Sequence, residues 1–203
     1  MDRDSPRLSP MPLIAAVLAV VGIFVAIIWL NWPWLEQAVA VEEAPTAWLQ
    51  SSMLWSCASL ALLLATVERS RPPGWSLVAV GLAGAALDER FMGHERLKDW
   101  ILFRFYGGNV EAMGRVGDLP ILVYGLGGVL VLAWLLRSPA APRFAGMRWM
   151  VAAVLAGFVA LGLDLASNDL FVQVFEEGFE LLAETLFACA LLRHAQAVWA
   201  HRP

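Results

Sequence analysis

The sequence predicts an all-α, polytopic membrane helix bundle, and three observations predict it. Hydrophobic residues make up 60% of the 203 and charged residues 16%, with a mean hydropathy of +0.66, a balance wrong for a soluble domain. Apolar runs long enough to cross a roughly 30 Å hydrocarbon core recur along the whole chain. Many of the ten tryptophans lie near the ends of those runs, where an indole keeps its N–H wet and its ring among acyl chains. Trp29, Trp32 and Trp34 form the densest such group. In lipid each backbone polar group must be satisfied within its own helix, so the core of such a chain is a bundle.

The elements follow in order. After the polar start MDRDSPRLSP, the first span covers about 12–30. The small-x-small sequence Ala38-Val39-Ala40 comes only after a full-length apolar run and the intervening WPWLEQ, too distant for an ordinary cleavage region, so the run reads as a retained span. The second span covers 47–67 and ends in ERSRPPG, whose paired prolines stop a helix. The third covers 75–92 and leads into the charged stretch DERFMGHERLKD, Asp88 to Asp99. Residues 99–118 read as an interfacial or re-entrant segment, with Arg104 amid apolar bulk, followed by a loop, GGNVEAMGRVG. Spans four, five and six cover about 119–136, 149–165 and 177–198. The whole chain, 1–203, is then one integral membrane domain of about six transmembrane helices.

Lys and Arg in the flanks set the orientation. With both termini cytoplasmic, in a plasma membrane or bacterial inner membrane, the inside segments hold nine: Arg3, Arg7, Arg69, Arg71, Arg137, Arg143, Arg148, Arg193 and Arg202. The outside segments hold five, all in the third connection: Arg90, Arg96, Lys98, Arg104 and Arg115. That places DERFMGHERLKD, Asp164 to Asp169 and the start of the sixth span together on the non-cytoplasmic side.

Cys57 and Cys189 lie inside apolar runs and read as buried thiols rather than a disulfide framework. No basic block, Gly-rich phosphate loop or aromatic–basic strip is present, which excludes nucleic acid as a partner class. The partners are instead the lipid bilayer and, for so small a bundle, another membrane protein or a second copy of the chain.

The chemistry-bearing residues are carboxylates. Glu177, Glu180 and Glu184 are spaced i, i+3, i+7 and share one helix face, with Glu184 about 10 Å further along the axis than Glu177. An ionisable residue near mid-span costs on the order of 2.5–3.5 kcal/mol, so a proton, a metal ion or a base from another helix has to neutralise Glu184. If the third span continues through Gly93, Asp88, Met92, Glu95 and Asp99 line up toward that stripe. His94 joins only if the helix breaks at Gly93. Asp164, Ser167, Asn168 and Asp169 close the fifth span, the first three on one face. The site candidates are thus Asp88, Glu89, His94, Glu95, Asp164, Glu177, Glu180 and Glu184, with Arg90, Arg96 and Lys98 as counter-charges. Oxygen ligands with one imidazole suit a divalent ion such as Mn, Fe, Zn or Ca, although the ExxH pattern of di-metal bundles is missing.

Three functions fit. The first is a cation or proton site near the non-cytoplasmic side, serving transport or sensing. The second is a membrane-embedded metal-dependent enzyme acting on a lipid, with Glu95 as base toward a metal-bound water. The third is a structural accessory subunit locked by interhelical ion pairs. His194 and His201, at the opposite end, do not reach His94. The glycines at 81 and 84, and at 125, 127 and 128, read as close-packing positions.

Overall fold

A computed structural model describes residues 10–39, 44–68, 72–113, 116, 119–137, 144–166 and 169–200. Among these residues the chain is all-helical, with no strand. Its helices are α1 (Met11–Leu30), α2 (Glu36–Val39), α3 (Pro45–Val67), α4 (Pro72–Phe91), α5 (Gly93–Tyr106), α6 (Val110–Met113), α7 (Leu119–Leu136), α8 (Met147–Ala166) and α9 (Leu170–Ala200). Among the described residues, four stretches are long and apolar enough to cross a membrane: Met11–Leu30, Pro45–Val67, Met147–Asp164 and Leu170–Ala200. Helix α7 offers a shorter apolar stretch, Leu122–Trp134, and α4 carries Asp88, Glu89 and Arg90 in its last turn.

Two antiparallel pairs, α3 with α4 and α8 with α9, form the bundle, and α3 against α9 joins them. The seam is built of Cys57, Ala61, Leu64, Trp75, Ala79, Met150, Ala188, Ala190 and Leu191. Alanine is the commonest residue of the seam, because small side chains let helix backbones approach closely. Helix α1 lies on α9 and α7 on α4. Both expose large apolar side chains outward, among them Leu18, Val25, Val123, Leu126 and Leu130. Near the end of α1, Phe24 rests on α9 at Gly178, where an added Cβ would lie 3.2 Å from the ring.

Two of the helix boundaries that differ from the sequence reading bear on the site, each for a local reason. Helix α9 starts at Leu170, seven residues before the predicted 177. Asp169 precedes it, and its Oδ1 accepts the Phe171 N–H at 2.8 Å, the N-cap bond that opens a helix. The glutamate stripe therefore lies well inside α9 rather than at its mouth. Helix α4 stops at Phe91, because Met92 adopts a left-handed φ of 48°. The helix thus does not continue through Gly93, and the alignment of Asp88 with Glu95 that continuity required is lost.

The segment predicted as interfacial or re-entrant forms the rest of α5 to Tyr106, then Gly107 and Gly108 at positive φ, then α6. Of the glycines, 81 and 84 do pack closely: each faces the Tyr124 hydroxyl, which donates to the Gly81 carbonyl. Glycines 125, 127 and 128 face open space instead. Both cysteines are buried and free.

Candidate functional site

The acidic stripe of α9 meets α3, not the charged stretch as a whole. Gln50, in the second turn of α3, is 1% exposed, and its Nε2 donates to Glu180 Oε2 at 3.1 Å. The same amide lies within hydrogen-bonding reach of Glu177. Two turns further along α3, the Cys57 thiol donates a long bond of 3.7 Å to the Glu184 carbonyl. From α4 the residue that reaches the stripe is Glu89, close enough to act electrostatically on Glu177, Glu180 and Glu184. Asp164 of α8 acts on Glu176 and Glu180 from the rim. Ser167 and Asn168 lie outside the described residues.

Three oxygens in this cluster are shielded and have no hydrogen-bond partner: Gln50 Oε1, Glu177 Oε2 and Glu184 Oε2. Among the described residues no lysine or arginine pairs with the stripe. Arg90, one of the predicted counter-charges, lies over the Trp48 ring, 4.1 Å from its centroid, and Lys98 acts on Glu95. No group of three or more His, Cys, Asp or Glu among the described residues is arranged to hold a metal ion.

Asp88, His94 and Glu95 make a second, separate cluster at the α4–α5 joint. Asp88 Oδ1 accepts the His94 backbone N–H at 2.7 Å, and Oδ2 pairs with the His94 ring at 2.8 Å. His94 Nε2 faces Glu95 Oε1 at 3.4 Å. A glycine is needed at 93 because a Cβ there would sit 2.8 Å from Asp88 Oδ1. One carboxylate thus satisfies a first-turn N–H of α5 and fixes the imidazole, and that is the physical cause of the helix break.

The bond to Glu95, with that to Asp88, outweighs burial and pushes His94 up to about 9. Glu95 is held below its usual 4.5, chiefly by the same bond. A raised histidine stabilises below its unfolded value near 6.5 and stops doing so as pH rises through the folded one. The lowered Glu95 stabilises above 4.5 and stops as pH falls further. The joint is therefore held most firmly between these limits and loosens toward pH 9. NMR titration of the His94 ring is expected to give a midpoint near 9, falling toward the free value in Asp88→Asn combined with Glu95→Gln. A wild-type midpoint near the free value would contradict this geometry.

A third polar centre was not legible in the sequence. At the other end of the bundle Glu68, 4% exposed, accepts the Trp75 indole N–H at 2.6 Å and faces His194 Nε2 at 2.9 Å. His194 and Trp75 are 1% and 0% exposed. The Ala145 N–H reaches His194 Nδ1 over a long 3.4 Å, which leaves Nε2 as the ring's donor to Glu68. Phe144 packs on both rings, at 4.6 Å from His194 and 6.0 Å from Trp75. These contacts tie α3, α4 and α9 to the segment before α8. The charged turn ERSRPPG gave only a helix stop, and Gln50 stood in an apolar run; an amide or acid at a predicted span's edge was the signal available for each.

The fold and site define an all-helical protein with four membrane-length apolar helices and a shielded acidic cluster between them. The chain belongs to the family described as a domain of unknown function, DUF8692, which matches residues 11–195. No curated protein and no solved structure matches it.

Proposed function

We propose that the chain is a multi-pass protein of about six spans, α1, α3, α4, α7, α8 and α9, with both termini cytoplasmic. Its glutamate cluster binds positive charge, as protons or as a cation, near the non-cytoplasmic side, in the service of transport or sensing. The observation that carries this is the set of three shielded, unpartnered oxygens on Gln50, Glu177 and Glu184. An ionised carboxylate in an apolar interior neutralises or pairs rather than stay bare. With no basic partner from the described residues, the remaining ways to neutralise it are a proton and a bound ion. The oxygen-only donor set favours hard ions such as Ca or Mn over Zn.

The test is Glu184→Gln, which keeps the shape and removes the charge. Proton uptake on back-titration of the detergent-purified protein, or its divalent-metal content by elemental analysis, is expected to fall below wild type while helicity is kept. If proton uptake, metal content and stability all stay at wild-type values, the cluster binds nothing through Glu184 and the reading fails.

A further inference from the structure

Building on that reading, we propose that the occupant is a pair of protons, carried on Glu177 and Glu184, and that the buried Gln50 carbonyl is the acceptor that orders them. The argument starts from donors and acceptors. A carboxylate only accepts, whereas a primary amide offers two hydrogens and one oxygen. The Gln50 nitrogen is engaged with Glu180, and its oxygen is shielded and unpartnered. The hydroxyls flanking Gln50 on α3 cannot serve it. Thr46 donates to the Ala38 carbonyl and Ser51 to the Ala86 carbonyl.

The three unpartnered atoms are therefore all acceptors when the glutamates are ionised, and acceptors cannot satisfy one another. One added proton turns one of the two glutamates into a donor and leaves the other shielded oxygen bare. Protons on both Glu177 and Glu184 convert two of the three acceptors into donors, with Gln50 Oε1 and the carboxylates of Glu180 or Glu89 to receive them. A pair is the smallest number that leaves no orphan among these three atoms.

Among the described residues, no side chain other than the Gln50 amide donates to the cluster. Helix α4 presents Glu89, with Asp88 engaged by His94 and Arg90 stacked on Trp48. Helix α8 presents Asp164, and α9 itself presents Glu176 and Glu180. From α3 the Cys57 thiol points to a backbone carbonyl. Helix α2 carries Glu36, which is exposed, and α1 has no titratable side chain.

Infrared difference spectroscopy of the full-length protein in detergent, with labelled glutamate, reads protonated carboxyls directly. Wild type at neutral pH is expected to show a pair of protonated-carboxyl bands. Glu177→Gln and Glu184→Gln should each remove one, and Gln50→Leu should move one band to the higher frequency of a carboxyl without a strong acceptor. Where Gln50→Leu does not fold, Gln50→Met, which keeps the chain length, carries the same measurement. A single band, or bands that ignore residue 50, overturns the proposal. A bound divalent ion with no protonated band also overturns it while leaving the cation form of the preceding reading intact. Absence of both protonated carboxyls and bound ion defeats both.

Discussion

His194→Ala is expected to destabilise the fold by about 3–5 kcal/mol, because it empties a fully packed site and takes one buried donor from the Glu68 carboxylate. Glu68 takes donors from both His194 and Trp75, and the ring is also packed against Phe144. The substitution therefore removes a hydrogen bond and an aromatic stack in one step. Thermal unfolding in detergent, followed by tryptophan fluorescence, measures the loss. His194→Gln, which can still donate toward Glu68, should recover part of it. An unfolding temperature for the alanine variant equal to that of wild type would show that the centre does not clamp the helices.

Gly146→Ala should cost on the order of 1–3 kcal/mol or more, since overpacking a rigid contact forces the backbone to move. A Cβ at 146 would collide with the Ala190 carbonyl oxygen and stand 2.7 Å from its carbon. Those are backbone atoms of α9 and cannot swing aside. The control is Gly125→Ala, which meets nothing within 4 Å. At a helix interior that change should be neutral or stabilising by up to about 1 kcal/mol from propensity. Equal unfolding curves for the two variants would contradict the close approach of the 144–146 segment to α9.

The helical class and the membrane-length apolar runs were readable because composition and run length depend on nothing beyond the chain itself. The Glu177, Glu180 and Glu184 face was readable for the same reason, being a matter of helical periodicity. What the sequence could not supply was the partner across the bundle. Helical periodicity aligns Asp88 and Glu95 with the stripe only in an unbroken helix, but Met92 at positive φ turns Asp88 to His94 and leaves Glu89 facing the stripe. Such a break comes from one carboxylate folding back on a backbone N–H, a contact between residues six apart that no periodicity encodes. Gln50 and Glu180 are separated by 130 positions, and Glu68 and His194 by 126. Those pairings exist only once α3 and α9 are packed, which is why an isolated amide and a turn glutamate carried no message.

The seating of α1 by Phe24 on Gly178 gives the molecule an electrical property as well as a mechanical one. The residue next to Glu177 on α9 is bare of side chain, so an uncharged outer helix can lie flat against the acidic one and act as its insulation on that side. Insulation and charge are therefore written at different positions. A change at 24 or 178 alters how well the cluster is sealed without touching a carboxylate, and a change at 177, 180 or 184 alters the charge without unseating α1.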